Sequence, residues 1–464
     1  MFTSIIFHGA SDPFVPIVGL APISSVQHGG RPMSGRYLSI SLALFLMAAI
    51  AVEVETAGPL PGSRPPDGIH MILPDGEANR YWSRWRGPSG QGLAGGTGYP
   101  DSWSATQNIL WKVEVPGRGN SSPIVWADRI FLTTARDGGK RPSVLCYRRS
   151  DGKLLWESAL QAGEPGKVYW KNSHASGTPV TDGQLVYASF GNQGLAAVDF
   201  QGKVVWRHSL GAIRNYHGSA GSPVLYKDRI FLYEDQRQGA FAAAFDKRTG
   251  KILWKTERTA SVGWGTPIVI RAGDRDELIV SSQARVTAYD PSSGKALWHC
   301  EGNLAEVIPT PVVGHGLVFC VSGRAGPTLA IRPGGSGDVT QTHLAWKQSK
   351  GASFVPSPLL YDDLLYQVND MVSVATCYQA TTGEVLWQGR LGEPKSEGFS
   401  ASPVGVDGKV FFTNDAGETF VLKAGNKFEL LRVNRLEAPV LASPALVDGR
   451  WYFRTDRHLL AIGN

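Results

Sequence analysis

Residues 222–257 set the pattern for the whole chain. "SPVLYKDRIFLYED" (222–235) is two short apolar runs broken by a turn at Lys227-Asp228. "AFAAAFD" (240–246) is a third run, and "KRTGKILWKTE" (247–257) is a tight turn feeding a fourth run that holds Trp254. Runs of this length bounded by Asp-Gly and Thr-Gly pairs predict four strands joined by hairpins. The closing phrase returns as "DGKLLW" (151–156), "QGKVVW" (201–206), "SGKALW" (293–298) and "TGEVLW" (382–387). A Trp ends such a run at 111, 156, 206, 254, 298, 346 and 387, at intervals of 41 to 50 residues.

A second marker interleaves with the first. Ser-Pro or Thr-Pro stands at 122–123, 178–179, 222–223, 266–267, 310–311, 357–358, 402–403 and 443–444. Pro at the first position of a strand costs no ladder hydrogen bond. Eight markers with a period in the forties and about four strands per unit predict an all-β, eight-bladed β-propeller. The last marker is followed by only three strands. "NILWKVEV" (108–115) is a Trp phrase with no strands before it, so residues 108–116 are expected to complete blade eight and close the ring. The propeller is then assigned to residues 108–464.

Within a unit, Trp lies ten residues after a small residue, as in Ala244 to Trp254 and Ala288 to Trp298. The indole is expected to dock on a neighbouring blade where only a small side chain leaves room. Cys146 and Cys377 occupy the small slot and read as buried thiols. No partner follows from the sequence for Cys300 or Cys320.

The N-terminal region differs. An apolar core from Leu38 to Val52 follows the basic Arg36, and small residues come after it. Fifteen residues are short for a membrane-spanning helix of about 20 and fit a secretory signal. Residues 1–57 are therefore expected to be a leader with a signal peptide, Met33 serving as the start and cleavage falling near Ala51 or Ala57. A free-standing anchor is the alternative. Residues 58–107 read as an extension packing on the propeller. No Cys precedes Cys146, so no lipid anchor is expected. The expected location is periplasmic or secreted, as a monomer without a transmembrane anchor after cleavage.

Composition changes little in this picture. Net charge is +6 and charged residues make up 19% of the 464, with 55 Gly and 14 Trp. No basic block of five or more residues occurs, which speaks against nucleic acid as a partner.

The phrase small-x-D-x-x-T-G-K-x-x-W with Ser-Pro openings resembles the pyrroloquinoline-quinone (PQQ) type propeller repeat. "WSRWRGPSGQG" (82–92), "PGRGNSSPIVWADRIFLTTA" (116–135), "PTLAIRPGGSGDVTQTH" (327–343) and "LASPALVDGRWYFRTDRHLLAIG" (441–463) resemble exported PQQ-like, BamB-like propeller proteins of the planctomycete type. The resemblance implies fold and export. It leaves function open, because the same blade serves quinoprotein dehydrogenases and assembly scaffolds.

The loops before each Ser/Thr-Pro are expected to gather at one mouth of the channel. They bring Asn120, Trp170, Asn172, His174, Tyr216, His217, Trp264, Glu306, Phe354 and Phe399 toward the axis. This set reads as a ligand funnel; the plainer reading has each His bonded to its own loop and each aromatic plugging the channel. Nothing in the spacing of His174 and His217 demands a metal. "GGSG" (334–337) lacks the Lys of a phosphate loop and reads as a surface turn in an extended blade five. "RWRGPSGQG" (84–92) reads as a seal under the propeller. A non-catalytic binding or scaffold propeller with no cofactor is the expected function, its partner an envelope protein or a glycan. A PQQ-dependent dehydrogenase using PQQ with calcium is the first alternative. Such enzymes stack the quinone on adjacent cysteines and set a carboxylate, an amide and an aspartate around calcium. This chain has no Cys-Cys pair, and only Glu306, with Glu397 behind it, as mouth acids. A polysaccharide-binding or polysaccharide-processing propeller is the second alternative.

Overall fold

The computed structural model describes residues 68–160, 163–260, 262–395 and 398–464. The leader and its signal peptide, and Glu397, lie outside the described residues. Among those described, no helix is long and apolar enough to cross a membrane.

Eight antiparallel sheets follow one another along the chain. Blade one is typical, with strands Ile124–Trp126, Arg129–Arg136, Arg141–Arg148 and Leu154–Ala159. Blade eight takes Ala445–Val447, Arg450–Arg454 and His458–Ile462 from the end of the chain. Its outer strand is Ile109–Glu114, antiparallel to His458–Ile462 with Trp111 opposite Ala461. The expected eight blades and the borrowed closing strand are both present.

Blade four has six strands rather than four. Ile69–Met71 adds to its inner edge, antiparallel to Ile268–Ala272. Gly337–Asp338 adds to its outer edge, parallel to Ala296–Glu301. The Gly-rich stretch of blade five is thus partly a strand lent to its neighbour, not only a surface turn.

Apolar residues on both faces of each sheet fill the spaces between blades, so the core is a set of wedges around the axis. Phe131, Cys146, Val186 and Val198 pack between blades one and two. Tyr187, Ala197, Ile230 and Ala243 do so between blades two and three. The wedge at the seam is the largest. It joins blades seven, eight and one with Trp82 and Trp103 of the N-terminal segment.

Two repeated contacts tie blade to blade. Each Trp sits opposite a small residue of its own blade, such as Ala244 opposite Trp254 and Cys146 opposite Trp156. Its indole then reaches the next blade. Trp206 Nε1 donates to Lys247 O at 2.9 Å, and Trp254 Nε1 to Pro291 O at 3.0 Å. The ring covers the turn glycine of that blade. The slot that must be small on the neighbour is therefore this glycine, and the small residue of the same blade makes room from the other side. Gly250 shows why: its φ is +69°, and a Cβ there would stand 2.4 Å from the Trp206 ring. Gly250→Ala is expected to cost about 2–4 kcal/mol, from the left-handed backbone and the clash, read as a lower urea midpoint. Two rings find no such glycine. Trp387 Nε1 donates to Gly425 O at 3.0 Å, but the ring lies against Phe428, with centroids 5.3 Å apart. Trp298 departs further. Its neighbour lacks the turn glycine, and Nε1 donates instead to the buried Glu277 at 2.8 Å.

The Ser/Thr-Pro markers do more than start strands. The N–H of each marker residue donates to the hydroxyl of the next marker, from Ser122 to Thr178 at 2.9 Å through to Ser402 to Ser443 at 2.8 Å. Seven junctions carry this clasp. At the eighth, Ser122 Oγ has no partner, and buried Arg454 of blade eight bridges to blade one. Its Nη1 donates to Ser121 Oγ at 2.7 Å and Thr133 O at 2.8 Å.

Inner strands are open edges, and such edges invite unwanted pairing unless covered. Residues 82–94 cover several of them. Val125 N donates to Trp82 O and Thr181 N to Ser83 O. Gly405 N donates to Gly92 O, and Val313 N to Gln91 Oε1. Trp85 Nε1 donates to Thr310 Oγ1 at 3.1 Å.

Candidate functional site

All four cysteines are buried and unpaired. Burial pushes the Cys146 thiol up to about 12 and the Cys300 thiol up to about 11. None is a ready nucleophile.

The mouth is built by the loops before the markers and by the second turn of each blade, which faces the same way. The loop of residues 163–179 reaches across it. Arg118 donates to Asn172 O at 2.9 Å, and Asn120 Nδ2 to Lys171 O at 2.9 Å. Lys171, held there, extends to blade seven and pairs with Asp415 at 2.8 Å, both side chains mostly buried. Asp415 Oδ2 also accepts from Ser400 at 3.2 Å. Asp370, fully buried in the matching turn of blade six, accepts from Phe354 N at 2.7 Å. Burial raises its carboxyl to about 6, while the backbone bond and Lys171 pull the other way. Asp415 is raised for the same first cause.

Most of the candidate residues fall into two groups. On one side Tyr216 donates to Glu306 Oε1 at 2.7 Å, and Arg324 Nε to Glu306 Oε2 at 3.0 Å. The Arg324 guanidinium lies 4.2 Å from the centroid of the buried Phe354 ring. Burial and the Glu306 bond raise the Tyr216 phenol to about 12. The His217 ring lies against Tyr216, Tyr169 and Trp264, with centroids at 4.1, 4.5 and 5.4 Å. Trp264 Nε1 donates to Gly218 O at 2.7 Å.

A second group is structural. Asn172 Nδ2 donates to His217 O at 2.8 Å, and His174 Nε2 contacts Gly166 O at 2.8 Å. Asn172 thus ties its loop to the next one, and His174 holds its own loop. Phe399 belongs to neither group: it is buried between blades six and seven, its ring centroid 6.2 Å from that of Phe420. The Ser400 side turns to the mouth instead. Trp170 stands apart at 70% exposed, with Tyr216 at 45% and Leu304 at 52% on the same face.

Sequence reasoning missed Lys171, Asp370, Asp415 and Arg324. Asp370 and Asp415 stand in equivalent Asn-Asp turns, "ND" at 369–370 and 414–415. That repeated pair was the available signal. Lys171 lies between two residues singled out for their loop.

The mouth does not fit a calcium–quinone pair. Among the described residues no three His, Cys, Asp or Glu side chains gather to hold a metal ion. Asp415 and Glu306 are already ion-paired, with Lys171 and Arg324. The cysteines that would stack a quinone are dispersed in blade cores.

Comparison with known proteins agrees with this architecture. The family described as outer membrane protein assembly factor BamB matches at residues 101–237, 142–375 and 371–463, which is most of the chain. The chain belongs to this BamB-like family of PQQ-type propellers. BamB of Xanthomonas campestris pv. campestris is 30% identical over 138 residues, 30% of each chain. BamB of Burkholderia pseudomallei is 24% identical, over 46% of this chain and 56% of that one. Tetrathionate hydrolase of Acidithiobacillus ferrooxidans is 24% identical over 219 residues, 42% of each. The chain thus spans roughly a third to a half of these relatives' lengths. Among solved structures, BamB from Moraxella catarrhalis has a TM-score of 0.58 at 14% identity, covering 77% of this chain and 99% of that one. A europium-containing methanol dehydrogenase has a TM-score of 0.63 at 10% identity, covering 83% and 98%. At such identities these two share the fold alone.

Proposed function

We propose that this BamB-like propeller is a non-catalytic binding or scaffold protein of the cell envelope, periplasmic or secreted, that holds a partner protein against its loop face. The observation that carries this reading is the occupied channel beside an exposed loop face. Lys171 spans the mouth to Asp415, and below it the half-buried Trp85 is tied to Thr310 of the clasp. Trp170, Tyr216 and Leu304 meanwhile present large apolar surface to solvent. Exposed aromatics beside Arg118 and Arg324 suit a protein interface, where Trp, Tyr and Arg carry most of the binding energy. The names of its BamB relatives support an outer-membrane setting. The quinoprotein reading has against it the missing donor set and the Lys171–Asp415 bridge across the mouth.

The test places a photo-crosslinking residue at position 170 in intact cells, with one at Leu253 on the outer rim as control. One envelope protein is expected to cross-link from 170 and not from 253. Trp170→Ala with Tyr216→Ala should weaken its co-purification by about tenfold or more, the loss of roughly 1.4 kcal/mol or more, with no change in melting temperature. Stoichiometric uptake of PQQ with calcium and dye-linked substrate oxidation would overturn the reading.

A further inference from the structure

Residues 84–86 place two guanidinium groups inside the propeller. Arg84 is 8% exposed and Arg86 2%. Neither meets a carboxylate. Arg84 Nη2 donates to Ile72 O at 3.0 Å and Pro88 O at 2.7 Å. Arg86 Nη2 donates to Gln91 O and Pro358 O, both at 2.7 Å. Arg84 Nε, Arg86 Nε and Arg86 Nη1 have no partner at all. Burial is the one influence on either group; it lowers Arg84 to about 10 and Arg86 to about 9, so both stay charged at neutral pH. Buried charges are ordinarily paired, and here two positive charges lie close in sequence with no negative one.

Beside Arg84 lies a cavity of about 20 Å³. That is room for one water-sized species. Its polar side chains are Arg84, Thr266 and Thr310, and its other walls are Met71, Trp85, Gly90, Pro223, Val224, Pro267 and Ile268. The two threonines belong to the clasp. Thr266 Oγ1 accepts from Ser222 N, and Thr310 Oγ1 accepts from Trp85 Nε1 and Thr266 N. Thr310 Oγ1 has both acceptor positions used and Thr266 Oγ1 one of its two, and each has its hydroxyl proton left to give. The polar side chains of the cavity are thus mainly donors, one of them a cation, in largely apolar surroundings.

We propose that this cavity binds a monatomic anion, a halide such as chloride, between Arg84 and the hydroxyls of Thr266 and Thr310. Side-chain donors outnumber the one acceptor position left open on Thr266 Oγ1, which favours an anion over water. A phosphate or sulfate is too large for the space. The halide neutralises the buried charge and pins the segment carrying Trp85 to the clasp of blades four and five. This inference is independent of the partner-binding reading, since the cavity faces the axis and not the loop face.

The test uses the full chain in chloride-free buffer at constant ionic strength, titrated with sodium chloride or bromide against sodium gluconate. Halides are expected to raise Tm by about 2–4 °C and to saturate, as binding to the native state alone requires; gluconate should not. Crystals grown in bromide should show an anomalous peak within hydrogen-bonding distance of Arg84 Nε. Thr310→Val, which retains the fold volume, should weaken the halide effect at least fivefold, and Arg84→Met should abolish it. Should Arg84→Met fail to fold, the bromide peak and the Thr310→Val titration decide. Equal Tm responses to gluconate and chloride would overturn the proposal. So would an absent bromide peak, or a peak without halide-specific stabilisation in solution.

Discussion

A chain that begins at Gly117 will lose its cooperative unfolding transition, whereas one that begins at Asp101 will keep it at a lower urea midpoint. The first truncation removes Ile109–Glu114, the outer strand of blade eight, and with it five aligned residue pairs along His458–Ile462. It also removes Trp111, whose indole donates to Arg149 O of blade one at 3.1 Å and covers Gly152. Loss of a docked Trp alone costs about 3–5 kcal/mol, and the ladder adds about 1 kcal/mol for each backbone bond. That total approaches the whole stability of an ordinary domain. The bared edge of His458–Ile462 is then a template for pairing with other chains, so oligomers should appear on size exclusion. The second truncation takes away the axial segment but leaves the ring shut. A peptide of residues 108–116 added to the first chain should restore part of its cooperativity. If the two truncations melt alike, closure by this strand is not what holds the ring.

The ring was legible because its devices are local and repeated. A turn glycine, a Trp four residues later and a small residue opposite recur in the same order, so the count and the seam followed from spacing. Blade four shows where spacing fails. Ile69–Met71 joins it from far away in sequence, and nothing in "IHM" marks an inner-edge strand. The clasp was half visible. Ser/Thr-Pro marked each strand start, but that the hydroxyl serves the preceding blade is a fact of three dimensions. Arg454 at the seam could not be read at all, because only the closed ring brings it to Ser121.

The mouth was legible by loop and not by side chain. Tyr216, Glu306 and Trp264 do converge, since each stands in a loop that enters from the rim. Phe399 sits in the same kind of loop, but an apolar ring with a cavity between blades beside it goes inward. Ser400 next to it goes to Asp415. The Asn-Asp turns of Asp370 and Asp415 do repeat in the sequence, but the pairing of Lys171 with Asp415 leaves no periodic trace, because only the circular arrangement brings the loop before blade two to blade seven.

The second large effect is one of pH. Glu234, 3% exposed at the end of the second strand of blade three, has Oε2 accepting from Ser219 at 3.1 Å and Oε1 without a partner. Burial raises its carboxyl from 4.5 to about 8, with the nearby Asp235 adding to the rise and Ser219 opposing it. The folded state therefore holds a proton that the unfolded chain has released by pH 6. Wherever the native state binds more protons, stability falls as pH rises. Full stability from this group is present below about 4.5 and is lost progressively up to about 8, at about 1.4 kcal/mol per pH unit and up to about 4–5 kcal/mol in all. Asp370, raised to about 6, acts in the same direction over the lower part of that window. Glu234→Gln retains the shape and the bond to Ser219 without a proton to lose. Urea midpoints at pH 5, 6.5 and 8 should fall steeply in the natural protein and much less in Glu234→Gln, the two curves meeting near pH 5. Parallel curves would show that Glu234 is not the group responsible, and Asp370→Asn would then be expected to flatten the lower half of the profile alone.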